Sequence, residues 1–182
     1  MTALLGMLAG NAELPIPLLT GQSGTFLVGH LITVLPAATL MYGLSRGDAR
    51  LEAVACRPMG PWNAMLGLAA AAAGGTVAAL LYLATNSPIS LVLGRNTIGY
   101  IGCALLASVL VGPRFAAPLT AVLPLLCAAT GWRQGGQPEP WAWILQPPHS
   151  TIGAAAALLL LALGVAATAA GTSLSRASGQ GR

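Results

Sequence analysis

Trp62-Asn-Ala-Met-Leu-Gly-Leu-Ala-Ala-Ala-Ala-Ala-Gly-Gly-Thr76-Val-Ala-Ala-Leu-Leu-Tyr82-Leu-Ala84 decides the fold. From Ala64 onward this run holds no polar side chain beyond Thr76 and Tyr82. About twenty such residues in a helix cross a hydrocarbon core of about 30 Å. Four further runs extend the pattern outward from it. Thr25–Leu44 precedes it and contains His30 and Pro36; Asn96–Val111, Phe115–Gly131 and Thr151–Thr172 follow it. The third and fourth are separated only by Gly112-Pro113-Arg114, which predicts two antiparallel helices joined by a tight turn. Pro118 and Pro124 lie inside the fourth, where neighbouring helices re-satisfy the backbone groups a proline frees. The expected fold is therefore all-α: a polytopic transmembrane bundle of about five spans over residues 25–172.

Charge is placed as such a bundle requires. The 182 residues include no lysine, eight arginines and four acids, with mean hydropathy +0.76. A charge at the bilayer centre costs about 2.5–3.5 kcal/mol on insertion scales, so charges belong in the gaps between spans. Arg46, Arg50, Arg57, Arg114, Arg176 and Arg182 fall on one side of a five-span chain, and Arg95 and Arg133 on the other. The positive-inside rule puts the six in the cytoplasm, the amino terminus outside and the carboxy-terminal tail 173–182 inside. Without lysine the chain has no Walker-type phosphate loop, Schiff-base lysine or lysine general base. The net charge of +4 is a topology signal and does not point to nucleic acid. No positive charge precedes Arg46, so residues 1–24 do not read as a signal peptide. Their short apolar start, followed by Glu13, Pro15 and Pro17, reads as an outer interfacial or re-entrant segment.

The loops hold the candidate residues. Ser45 to Pro58 contains Arg46, Asp48, Arg50, Glu52 and Arg57, with acids near one end of a short amphipathic helix and Arg57 near the other. Such a helix either seats on a partner protein or rests on the lipid interface. Arg95 and Asn96 stand at the expected outer start of the third span, Asn96 as a cap and Arg95 snorkelling to headgroups or touching a substrate or phospholipid. His30, inside the first span with no acid at helical spacing, is a candidate for proton or substrate handling. A hydrogen bond to a neighbouring helix would equally satisfy it. Glu13 joins these as a possible pathway contact. The outer loop 132–150 carries Trp132, Trp141 and Trp143 among prolines, an aromatic belt by composition, and His149 reads as structural. Small residues four apart predict close helix packing: Gly67, Ala71, Gly75 and Ala79; then Gly99, Cys103 and Ala107; then Gly164, Thr168 and Thr172. The three cysteines, Cys56, Cys103 and Cys127, have no CxxC spacing and read as packing residues, with no metal site.

The loop ending Arg57-Pro58, the Arg95-Asn96-x-x-Gly99-Tyr100-x-Gly102 segment, the Gly112-Pro-Arg114 turn with Pro124 beyond it, and Trp141-Ala-Trp143-x-Leu-Gln146-Pro147 together resemble permease subunits of ABC-2-type exporters of high-GC Gram-positive bacteria. The resemblance covers roughly residues 40–172. It implies a bacterial cytoplasmic-membrane permease with no catalytic residues or cofactor of its own. A separate ATPase chain would bind ATP and magnesium, and a second permease copy or homologue would complete the transporter. It further implies a coupling helix over 45–58 that seats on the ATPase. Such permeases usually have six spans and an amphipathic amino-terminal helix, from which this chain departs. Two other readings stand beside it: a small structural subunit of a larger membrane complex, and, remotely, an intramembrane protease. The last rests on Gly21-Gln22-Ser23-Gly24, which resembles the rhomboid nucleophile site, with His149 as an imagined base.

Overall fold

A computed structural model describes residues 13–17, 23–46, 59–133 and 137–179, and is an all-α helix bundle preceded by one short hairpin. Strands β1 (Glu13–Pro17) and β2 (Ser23–Leu27) pair antiparallel, with Leu14 opposite Phe26. The first helical element is broken: α1 (Val28–Ile32) and α2 (Val34–Ser45) are separated at Thr33. Four long helices follow: α3 (Met59–Thr85), α4 (Ile89–Val111), α5 (Pro113–Thr130) and α6 (Thr151–Gly179). All four are long and apolar enough to cross a membrane, which marks the chain as a membrane protein.

The expected helices exist, but three boundaries move. The first span begins at Val28, not Thr25, because residues 23–27 are strand. It is also not continuous. Pro36 cannot donate to the carbonyl of Ile32, and Thr33 turns its hydroxyl back onto the carbonyl of His30 at 2.9 Å, so the helix restarts after it. The third span begins at Ile89 rather than Asn96, since Pro88 starts the helix and Asn86, with φ of 50°, turns the chain before it. The fifth continues past Thr172 to Gly179. The Gly112 turn is as expected: its φ of 85° is left-handed, and Pro113 opens α5 with its ring already at a helical φ.

Helix α4 is the axis, packed against α3, α5, α6 and α2 in turn. Tyr100, Ile101, Ala104 and Leu105 are wholly buried along it. The outer helices turn the opposite character outward: Leu80 and Leu83 of α3 are 65% and 78% exposed, a surface suited to lipid tails and not to water. Helices associating in lipid gain little from the hydrophobic effect, so contact depends on close backbone approach. It is closest between α4 and α6. A Cβ on Gly164 would lie 2.5 Å from the Gly102 carbonyl oxygen, and one on Gly102 would strike the Leu160–Leu161 backbone. The α3 face toward α4 is Gly67, Ala71, Gly74 and Ala78, so part of the expected stripe is used and rotated toward 74 and 78. On α4 the contact glycine for α6 is Gly102, not Gly99, which serves a different neighbour described below.

Placing a side chain at the α4–α6 crossing must push two backbones apart. Gly102→Val or Gly164→Val should lower stability by about 1–3 kcal/mol or more. Gly43→Ala, where nothing lies within 4 Å, should change it by less than about 1 kcal/mol. Unfolding midpoints in detergent or bilayer discs test both; equal effects at the three positions would refute the crossing.

Candidate functional site

The polar residues at one end of the bundle converge on α4. Arg95 and Asn96 are consecutive, so they point to different sides of the helix. Asn96 is wholly buried, and its amide nitrogen lies 2.8 Å from Nδ1 of His30 on α1. Its amide oxygen faces Nε of Arg95 at 3.5 Å. A guanidinium has only donors, so the amide oxygen must face Arg95 and the amide nitrogen must face the imidazole. Nδ1 of His30 is then the acceptor, which selects the tautomer carrying its proton on Nε2.

Arg95 is 8% exposed and reaches the other way, into the loop that precedes α6. Its Nη1 donates to the Pro147 carbonyl at 2.9 Å; its Nη2 donates to the Gln146 carbonyl at 2.7 Å and to that of Ile144 at 3.4 Å. These carbonyls end a 3-10 turn, Trp143–Leu145, where main-chain acceptors lack partners within the turn. The guanidinium fork matches them and is solvated by them in place of water. Gly153 of α6 leaves the room: a Cβ there would lie 2.7 Å from Nη1. Arg95 therefore does not snorkel to headgroups, and Asn96, seven residues past the helix start, caps nothing.

The loop that precedes α6 folds back onto the bundle as a cap. Trp143, read from sequence as part of a boundary belt, is buried: its ring lies over Gly99, and Tyr100 meets it edge-on at 5.6 Å and 61°. Trp141, at 54% exposed, keeps the belt character. Glu139 shapes the loop twice, donating its N–H to the Gly131 carbonyl at 2.8 Å and accepting Nε of Arg133 at 2.9 Å. That hydrogen bond holds the exposed Arg133 above the usual guanidinium range. Gln146 closes the loop by donating to the Glu139 carbonyl at 3.1 Å. His149 is exposed.

Among the remaining candidates, Arg46 ends α2, where its guanidinium stacks on the Tyr42 ring and donates to its hydroxyl. Asp48, Arg50, Glu52 and Arg57 lie outside the described residues, as does the coupling helix expected there. Glu13 opens β1. Ser23 opens β2, so the serine imagined as a nucleophile sits in a strand and not at the start of a buried helix. Among the described residues no three metal-ligating side chains gather. The chain matches no family model, no curated protein and no solved structure.

Sequence reasoning brought His30, Arg95 and Asn96 forward separately and did not bring them together. The available signal was distance along the helix: once α4 starts at Ile89, Arg95 and Asn96 fall two turns inside, where only protein groups satisfy them. The cap residues Trp143 and Gln146 gave no comparable signal, because a tryptophan beside prolines fits a boundary equally well.

Lysine cannot reproduce the forked contact of Arg95. Arg95→Lys should cost about 1–3 kcal/mol by stranding loop carbonyls, and should speed amide deuterium exchange across residues 142–150 while sparing residues 100–107. Unchanged exchange in the loop would mean the guanidinium does not hold it.

Proposed function

We propose that this chain is the membrane-embedded permease subunit of an exporter in a bacterial cytoplasmic membrane, energised by a separate ATPase chain. The observation that carries the reading is the broken first element. Helix α1 ends at Ile32, two residues after His30, the break falls at Thr33, and His30 is tied to Asn96 on the central helix. Helices interrupted at membrane depth beside buried polar side chains are a recurrent device of transporters, because the interruption lets one element move against a fixed bundle. The resemblance of residues 40–172 to ABC-2-type permeases agrees with this, and the absence of lysine leaves nucleotide hydrolysis to another chain. In this reading Arg46, Arg50, Arg57, Arg114, Arg176 and Arg182 face the cytoplasm. Segment 45–58 seats on the ATPase, which holds ATP and magnesium, and a second permease copy or homologue completes the pathway. His30, Asn96 and Arg95 border that pathway, and Glu13 stands at its outer end.

One observation favours a second reading. The hydrogen bonds of Arg95 and Asn96 run to the chain's own groups, as a scaffold subunit of a larger membrane complex would need. Co-purification separates the two: a soluble ATPase supports the permease, and a complex with no nucleotide-binding chain supports the scaffold.

Two measurements test the reading. Reporter fusions at residues 50 and 178 should both report cytoplasm, since four crossings separate them; opposite sides would overturn the topology. Reversing Glu52→Arg together with Arg57→Glu should leave membrane insertion normal and abolish ATPase co-purification. One exposed pair is worth only about 0–1 kcal/mol, so both charges are reversed. A partner retained at wild-type level would show that the segment is a lipid-resting connector.

A further inference from the structure

We propose that the cleft between the broken first element and the α3–α4 pair is a binding site for an uncharged, ester-linked lipid, with one acyl tail in the cleft and its ester carbonyl on Ser90. The cleft has a volume of about 260 Å³. Ile32 and Pro36 wall it on one side, Ala73, Val77 and Leu81 on α3 and Leu93 on α4 on the other. The lining carries no charge, and its polar atoms are the hydroxyls of Thr33, Ser90 and Thr97.

Two of the three hydroxyls are spent. Thr33 donates to the His30 carbonyl at 2.9 Å, and Thr97 donates to the Leu93 carbonyl at 2.8 Å. Ser90 is wholly buried and its Oγ has no hydrogen-bond partner. A buried hydroxyl without a partner carries an uncompensated desolvation cost, which an acceptor arriving in the cleft would remove. Among the described residues none that line the cleft is charged, and Arg95 is turned onto the carbonyls of Ile144, Gln146 and Pro147. A phosphate headgroup would therefore find no counter-charge, and the ligand is neutral.

Polarity along the cleft sets the orientation. Ser90 and Leu81 lie beside the turn that joins α3 to α4, at the end of the helices. Thr97 and Ala70 mark the other end, about 10 Å deeper along α4 at 1.5 Å per residue. An amphiphile in the bilayer is ordered the same way, with its ester near the boundary and its tail toward the midplane. Thr33, at the interruption of the first element, and Pro36, which has no N–H, both line the cleft. This site does not depend on the exporter reading, since a scaffold subunit could hold the same lipid.

The test uses the full chain in phosphatidylcholine discs and a monoacylglycerol with a diazirine in its tail, adducts being mapped by peptide mass spectrometry. Adducts are expected on residues 70–81 and 90–97. Ser90→Ala should reduce labelling there roughly three- to tenfold, the loss of one neutral hydrogen bond. Ala73→Phe fills the cleft from a position already exposed on α3, so the fold tolerates it, and should abolish the signal. A diazirine alkane of equal length, with no ester, should label the wild type as weakly as the ester labels Ser90→Ala. Wild-type labelling in both variants would overturn the site and leave ordinary bilayer contact. Loss in Ala73→Phe alone, with ester and alkane equal, would overturn the role of Ser90. Neither outcome bears on ATPase co-purification, so the two proposals fail separately.

Discussion

A guanidinium and an amide two turns inside a bilayer-length helix have to be solvated by protein, and one end of this bundle is arranged around that requirement. Charge in hydrocarbon is tolerated only where polar partners replace water. Arg95 obtains them from Ile144, Gln146 and Pro147, and Asn96 obtains one from His30. The loop before α6 and the first helix are thereby tied to one short segment of α4. The loop is held over the bundle end where its Ile144, Gln146 and Pro147 carbonyls accept from Arg95, the Pro147 carbonyl being shared with the Ser150 N–H.

The other end is held differently. There α4 meets α6 by backbone approach at Gly102 and Gly164, and meets α3 where Gly67 leaves room for Leu105. Dispersion across such contacts is individually small and depends on the backbones remaining close. A helix that is polar on one turn and glycine-rich on others gains from being surrounded, which is why α4 and not the more hydrophobic α3 or α6 is the axis. The most apolar stretch in the sequence is consequently on the outside, facing lipid.

That inversion explains what the sequence revealed and what it hid. Run length and charge scarcity made the helices and their alternation legible, down to the Gly112-Pro113 turn. Hydropathy ranks helices by how well they suit lipid, so it could not say that the chain's moderately apolar third span would be the buried one. The same limit placed Arg95 and Asn96 at a boundary: their polarity argued for water, and only the start of α4 at Ile89 shows them inside. His30 was legible as a residue needing a partner on another helix, while the identity of that partner depended on helix rotation. Trp143 was misread because belts and caps draw on the same residue, and Gly99 opposite it had been assigned to helix packing. Residues 47–58 of the charged segment lie outside the described residues, so its role rests on composition and resemblance.

The account's central claim is that residues 89–111 form the interior helix of a membrane-embedded bundle. Photolabelling the native protein in bilayers with a lipid-dissolved carbene precursor, and mapping adducts residue by residue, tests it most directly. Adducts should fall on outward leucines such as Leu66, Leu80, Leu83, Leu125 and Leu159, and on the last turn of α4 at Leu110. Tyr100, Ile101, Ala104 and Leu105 should carry none. Adducts on those four residues, at levels comparable with the outward leucines, would contradict the arrangement of the bundle and the solvation of Arg95 that depends on it.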